Sequence, residues 1–436
     1  MTLAPRWFRV IGLAAVLVAV GGLIPVVGWI GAVLALCSTV LAIVEAVKLP
    51  ATEDFAVQRD LPPCMASGAS YGVTVTVRSL RRDPVHLLIH EEPPRAMDND
   101  WADAVLNLVP GGVGALTYSV SPRRRGDHSF GDVWIRVGTR IGLVQRILRY
   151  PVTGWVRVMP AAVAPGKLPI ASYRARERGT GMRAQRWTGA GRQFESLRDY
   201  APDDDFRSVD WKATARRGKL TTREYQMERS QVILLALDLG RTMVGSAAGA
   251  VKTDHAINAA LSLAQVSAAC DDHVGLLTFD AAVRQWLPPR KGRAQLRRLV
   301  GALYAADAAK VEADYRGAAD HVLRQCRSRS LVVVFTDVWE AGASARLSEE
   351  LRRIARRHLV LCVGLSDGEV MRQARADPSD RDAVYRQAVA LQMLHDRGEA
   401  IRHLQARGIT VVDSTAERIS ADLVSRYLEV KRRALL

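Results

Sequence analysis

The sequence predicts a membrane-anchored α/β protein: an N-terminal transmembrane helical hairpin, a small β-sandwich, then a doubly wound, mostly parallel sheet. Three observations carry this. From Val10 to Val47 only Glu45 is charged. Between residues 51 and 160, short alternating runs are separated by turn signals. From about residue 191, continuous apolar runs alternate with segments of helical period, and such strands belong to a parallel sheet covered on both faces. The 436 residues allow two to four domains at roughly 100–200 residues each. The boundaries read 1–50, 51–160, a connector over 161–190, and 191–436.

The apolar run covers about 38 residues, too long for one span of ~20 and enough for two short ones. Gly21, Gly22 and Pro25 interrupt it, so the hairpin should turn around Gly22–Gly28. Arg6 and Arg9 precede it, and Lys48 and Arg59 follow. The positive-inside rule then places both ends in the cytoplasm. A single long helix would instead put the remainder outside.

In the second segment Tyr71–Val77, Pro84–Ile89, Ala115–Val120 and Val133–Val137 read as strands. His86 and His90 lie ~13 Å apart on one strand face, too far to share a metal. The 161–190 connector is rich in Pro, Gly and Arg. Beyond it, strands are expected at Val232–Asp238, His273–Phe279, Ser330–Asp337, Leu359–Gly364 and Ile409–Asp413. Helices are expected at Asp254–Ala269, Arg293–Ala306, Tyr315–Arg327, Ser348–Arg357, Ala383–Ala406 and Ala421–Lys431. Asp238 and Asp337 then sit at the carboxyl ends of strands, where open α/β sheets bind ligands.

Composition narrows the function. Apolar residues at 48% and charged residues at 24% argue against disorder. The formal charge of +16 suits an anionic membrane, an acidic partner or nucleic acid. No zinc-finger spacing, RNA-binding signature or basic tail supports nucleic acid, so none is expected. The five cysteines are sparse and odd in number, which excludes a disulfide framework and fits a reducing compartment. There is no GxxxxGK[ST] loop and no nucleophile–His–acid grouping.

Asp238-Leu239-Gly240-Arg241-Thr242 and Thr336-Asp337 resemble the metal-site signature of von Willebrand factor A domains. The resemblance implies Mg²⁺ held by oxygen ligands. Asp238, Thr242 and Asp337 match. Gly240 supplies no ligand, Asp314 is an uncertain substitute for the loop Thr, and Arg241 is placed to pair with a carboxylate and displace a cation. The expectation is no cofactor or a weak Mg²⁺ site, with the metal-free arrangement of capping aspartates slightly preferred.

Gly189–Tyr200, Asp203–Arg216 and Gly218–Glu228 closely resemble the core motif of the bacterial "domain of unknown function 58" family, whose members carry a von Willebrand factor A-like domain. The likeness extends to the hairpin, Arg125-Gly126, Ile141-Gly142-Leu143 and Tyr427–Lys431. Asp203 stands where that family usually has Gly, whereas Gly240 agrees with it. The motif interleaves Arg198, Arg207, Arg216 and Arg223 with Asp199, Asp204, Asp210 and Glu224, which suits bidentate ion pairs. Read as an internal brace it should bury Trp211 and pair Asp210 with an arginine. The docking surface then falls at the rim: Asp238, Arg241, Thr242, Asp314 and Asp337.

The resemblance implies a partner, because family members are commonly encoded beside MoxR-type AAA+ ATPases. The leading expectation is a non-enzymatic, membrane-tethered adaptor working with such an ATPase in assembly or chaperone-like roles, with the chain facing the cytoplasm and its clients unknown. One alternative is a metal-dependent hydrolase using Asp210, Glu224 or Asp238. Another is binding of anionic lipid or polymer through the arginine excess.

Overall fold

A computed structural model of the chain describes residues 2–138, 141–163, 188–200, 209–226, 230–337 and 341–433. Contacts divide it into two compact units, Met1–Met159 and Pro160–Leu436.

The first unit opens with two helices, Pro5–Val20 and Pro25–Lys48, each with proline in its first turn where no amide partner is lost. They pack antiparallel at very close range. A Cβ on Gly21 would lie 2.3 Å from the Gly28 Cα, and one on Gly31 would lie 2.8 Å from the Val18 nitrogen. The glycines therefore do different work than expected. The turn is made by residues 21–24, while Gly28 and Gly31 lie within the second helix and let the backbones touch. Pro25–Lys48 has 24 residues, a mean hydropathy of 2.3 and little burial, so it meets the length and polarity of a membrane crossing. Pro5–Val20 has 16 residues, about 24 Å at 1.5 Å per residue, and falls short of a ~30 Å hydrocarbon core.

The rest of this unit is β-rich. One five-stranded sheet contains Val85–Glu91 and Val133–Gly138, and a four-stranded sheet contains Tyr71–Ser79 and Val113–Pro122. Their inward residues, among them Val73, Val75, Leu87, Ile89 and Ile135, form one buried core. Across it the Arg59–Glu91 pair is buried at 2.6 Å. His86 and His90 are exposed and bond Asn107 and Asp103. The helices are held to this domain at the loop 141–143 and the strand after it, where Thr2–Leu3 pairs with Val144 and Gln145. Glu45 accepts the amides of Ile141 (3.2 Å) and Leu143 (3.1 Å), and Arg6 donates to the Ile141 carbonyl. Gly142, at φ +78°, permits that bend. The lone charge of the apolar run is thus a backbone clamp.

The second unit is an α/β domain with a mixed six-stranded sheet. Its strands are β1 (Val232–Asp238), β2 (His273–Phe279), β3 (Val283–Arg290), β4 (Leu331–Phe335), β5 (Leu359–Ser366) and β6 (Thr410–Thr415), in the order β3-β2-β1-β4-β5-β6. All neighbours are parallel except β2 and β3. Residues alternate between two cores. Ile233, Leu235 and Leu237 face Lys252–Ala269 (α1), Gly292–Tyr304 (α2) and Ile419–Arg432. Leu234 and Ala236 face Tyr315–Gln325 (α3), Ala341–Ala355 (α4) and Arg381–Ala406 (α5). β3 and the helix Gly368–Arg375 are among the elements that escape the sequence patterns. β3 reads VRQWLPPR, and its adjacent prolines are tolerated because it is an edge strand.

Candidate functional site at the carboxyl edge of the sheet

Parallel strands deliver their carboxyl ends, and the loops after them, to one edge. Here four strand ends carry an aspartate, Asp238, Asp280, Asp337 and Asp367, and Asp413 lies two residues before the end of β6. Asp238 ends β1 and is fully buried. Its Oδ1 accepts the Gly240 amide at 2.7 Å, and its Oδ2 accepts the hydroxyls of Thr336 at 2.7 Å and Tyr315 at 2.9 Å. Burial raises its pKa, against the lowering effect of these donors and of nearby Thr242. Although close to Asp238, the Thr242 hydroxyl reaches no hydrogen-bond geometry with any described residue. Tyr315 has its own pKa raised by burial and by the Asp238 charge.

Asp337, just after β4, is buried between two cations. Its Oδ2 meets the Lys252 ammonium at 2.5 Å and its Oδ1 the Arg397 guanidinium at 2.7 Å. Arg397 also forks onto Asp413 at 2.5 Å. Burial opposes the Arg397 charge, and the Asp413 and Asp337 carboxylates outweigh it, holding its pKa above the ordinary value. Asp280 accepts from Arg284 at 2.7 Å and Asp367 caps the helix Gly368–Arg375.

The expected site is therefore rearranged. Asp238, Thr242 and Asp337 come to one edge, but the first and last have both carboxylate oxygens engaged by internal donors. Asp314 is turned away: it is exposed and caps α3 through the Gly317 amide at 2.9 Å. The residue after it, Tyr315, reaches Asp238 instead. Arg241 is exposed, and the cations seated on Asp337 are Lys252 and Arg397 rather than Arg241. Gly240 could not be a hydroxyl residue without movement, since a Cβ there would lie 3.0 Å from Asp238 Oδ1 and 3.1 Å from the Val311 carbonyl oxygen. As they stand, these residues do not fit a divalent cation. Among the described residues no group of three or more His, Cys, Asp or Glu is arranged to hold one. Sequence patterns missed Lys252, Tyr315, Arg397 and Asp413, because a cation at a helix start or mid-helix carries no spacing signal.

The family motif is partly described. Thr188–Asp199 pairs antiparallel with Thr221–Gln226, placing Leu197 opposite Arg223 and Ser196 opposite Glu224. Asp204 and Arg207, the connector over 164–187, and the side chains of Arg198, Arg223 and Glu224 lie outside the described residues. Asp199 and Arg216 are exposed. One expectation is corrected. Trp211 is 59% exposed rather than buried, because it opens a short helix, Trp211–Arg217, at the surface. Asp210 caps that helix, accepting the amides of Lys212 and Ala213 at 3.0 Å each.

Fold and edge define an α/β protein with an apolar N-terminal helix and a strand-end carboxylate array neutralised from within. Residues 196–372 match the model of the family described as protein of unknown function DUF58. The chain is similar to the uncharacterized protein YeaD of Bacillus subtilis (strain 168), 29% identical over 185 residues, 39% of this chain and 44% of that protein. It is also similar to the uncharacterized protein Rv1480 of Mycobacterium tuberculosis, 26% identical over 269 residues, 57% of this chain and 82% of that one. The match thus takes in less than half of the first relative's length and most of the second's. Among solved structures, the conserved hypothetical protein BatB from Bacteroides thetaiotaomicron aligns over 46% of this chain and 100% of its own, at 14% identity and a TM-score of 0.30. A likeness that slight carries no argument.

Proposed function

We propose that the chain is a membrane-tethered, non-enzymatic interaction protein whose partner is a MoxR-type AAA+ ATPase, working in assembly or chaperone-like roles. The observation that carries this is the saturation of the edge carboxylates. Acid–base or metal chemistry needs a carboxylate with an oxygen open to substrate, and both oxygens of Asp238 and of Asp337 are engaged internally. A von Willebrand factor A-like reading of the domain is supported by the order β3-β2-β1-β4-β5-β6 with β3 antiparallel. The helices Pro5–Val20 and Pro25–Lys48 are read as the membrane anchor, with both ends cytoplasmic. The close antiparallel contact at Gly21, Gly28 and Gly31 supports that hairpin. The test is co-purification of the full chain with a MoxR-type AAA+ ATPase, using wild type and Arg241→Glu, which changes the exposed loop after β1. Capture lost in the variant supports docking at the edge. Capture by neither chain, or by both equally, sinks it.

A second reading, anionic lipid binding, is favoured by a cleft of about 400 Å³ lined by Arg290, Lys291, Arg297 and Arg298. Arg297→Glu with Arg298→Glu should then abolish salt-sensitive binding to phosphatidylglycerol vesicles beyond what the N-terminal helices give. Unchanged binding counts against it.

A further inference from the structure

We infer that the helix-bearing end of the β-rich domain is an interfacial surface, whose turns insert into the headgroup layer of an anionic bilayer. The inference rests on the reading of Pro5–Val20 and Pro25–Lys48 as the membrane anchor. Strand register fixes where that end lies. Leu87 stands opposite Leu106 and Val137, and Val137 opposite Arg146. Two residues further along the same strands, Val85 stands opposite Leu108 and Val144 opposite Leu3. Leu108 therefore shares a row with the pair from which the first helix springs. Three strand spacings, about 14 Å, separate it from Val144. Trp7 and Phe8 follow in the first turn of that helix, edge to face with ring centroids 5.3 Å apart, and such aromatic rings settle at the headgroup level.

Two turns close this end, and both expose apolar side chains. Residues 109–112 join Ala104–Leu108 to Val113–Pro122, and residues 80–84 join Tyr71–Ser79 to Val85–Glu91. The turns are bonded to each other: the Gly111 amide donates to the Arg81 carbonyl at 3.1 Å, and the Ser79 amide to the Gly112 carbonyl at 2.9 Å. Gly111 at φ +67° and the Gly112 amide returning to the Val109 carbonyl at 2.9 Å make the first of them tight. Leu80, Val109 and Val113 are 59%, 66% and 60% exposed. Apolar side chains grouped on a surface and rimmed by polar ones mark a contact site. Here the rim is cationic. Arg78 and Arg82 are exposed beside the turns and form no ion pair among the described residues, and Arg9 and Lys48 are exposed on the helices. The acids at this end are Glu53, Asp54 and Asp83, and Arg81 engages the last two. Anionic headgroups complement the positive charge that remains. Trp155, 73% exposed, stands at the opposite end, where Gly131 bonds Glu92 and Phe130 faces Gly154, and it supplies an internal control.

The test uses the full chain in phosphatidylglycerol nanodiscs, with Cys64→Ser and Cys270→Ser to remove two of the accessible thiols. A spin label is placed on the native Cys37 of the second helix or, with Cys37→Ser, on Leu80→Cys, Val109→Cys or Trp155→Cys. Electron paramagnetic resonance reads the ratio of collisions with oxygen, which partitions into lipid, to collisions with a water-soluble nickel chelate. Positions 80 and 109 should give a ratio at least about threefold above position 155, as insertion into the headgroup and acyl boundary requires. The ratio should fall towards that of position 155 in phosphatidylcholine discs and with Arg78→Glu plus Arg82→Glu. Labels at 80 and 109 as water-exposed as the one at 155, with the Cys37 label in lipid, would overturn the inference and leave the anchor standing. Equal immersion at 155 would overturn it too, because insertion would not be confined to this end. Ratios unmoved by lipid charge and by the arginine changes would overturn the anionic partner. A water-exposed label at Cys37 would sink the anchor reading and this inference with it. An unchanged melting temperature shows each labelled chain to be folded.

Discussion

Asp337→Ala should be among the most damaging single substitutions in the α/β unit. It removes the carboxylate on which the Lys252 ammonium and the Arg397 guanidinium both rest, at 2.5 and 2.7 Å. Arg397 keeps Asp413, while Lys252 loses a carboxylate at 2.5 Å. Breaking a buried ion pair from one side costs about 3–5 kcal/mol, because the remaining charge stays desolvated. For a unit of this size that is a fall of about 6–20 °C in melting temperature. Asp337→Asn, which keeps an acceptor oxygen, should fall between the two. The assay is thermal unfolding of the full chain in detergent, with hydrogen exchange on β4 and α5 to assign the transition to the second unit. A double-mutant cycle with Lys252→Met should return a coupling of about 0.5–3 kcal/mol. An Asp337→Ala protein within about 1 kcal/mol of wild type, the range of an exposed pair, would refute the argument that this pair is buried and structural.

Asp210→Ala removes a helix cap, so its cost as a cap should be about 0.5–2 kcal/mol by chemical denaturation; a loss of ~4 kcal/mol would support the brace. His358 is 3% exposed, its ring nitrogens have no partner among the described residues, and burial holds its pKa below 6.5. A histidine lowered in the folded state contributes stability that is full above 6.5 and is lost as pH falls below that value towards the folded pKa. Denaturation curves at pH 7.5 and 5.5 should therefore show a smaller acid loss for His358→Leu than for wild type, and equal losses would refute it. Gly31→Leu must push a side chain into Val18 and Ala14, whereas Gly12 has nothing within 4 Å of its absent Cβ. Overpacking at Gly31 should cost about 1–3 kcal/mol while Gly12→Leu stays near zero, read as melting in detergent. Equal effects would mean the two helices do not pack as described.

The sheet was legible because burial on both faces leaves uninterrupted apolar runs. VILLALD, HVGLLTF and LVVVF announce β1, β2 and β4, and the β-rich domain announces itself through alternation in YGVTVTV and VWIRV. β3 was not legible, because an edge strand half open to solvent needs no apolar run and tolerates Pro288 and Pro289. The positions of Asp238 and Asp337 were also readable, since a polar residue closing a buried strand marks the sheet edge. Their partners were not. Lys252 follows Asp238 closely in sequence but is brought to Asp337 by a hairpin turned at Ala248-Gly249, and Arg397 arrives from the middle of α5. No local pattern encodes either meeting. Trp211 was misread because burial statistics for tryptophan describe an average, and this one stands at the start of a short surface helix.

That split bears on where recognition takes place. A carboxylate array open to solvent would carry the specificity of the edge directly, through a metal or through a partner's cations. Here Asp238 spends its acceptors on Gly240, Thr336 and Tyr315, Asp337 on Lys252 and Arg397, and Asp280 bonds Arg284. These contacts tie the loops after β1, β2 and β4 to one another and to helices on both faces, as do the backbone bonds from Arg241 to Val311 and from Asp314 to Asp280. The aspartates then fix the loops, and on the proposed reading a partner would meet the outward side chains around them. Arg241 and the exposed Glu312–Arg346 pair lie among these. Substitutions at the aspartates should therefore act through stability first, and substitutions at Arg241 through binding without loss of fold. An experiment that scores only capture confuses the two, which is why melting has to be measured beside it for every variant.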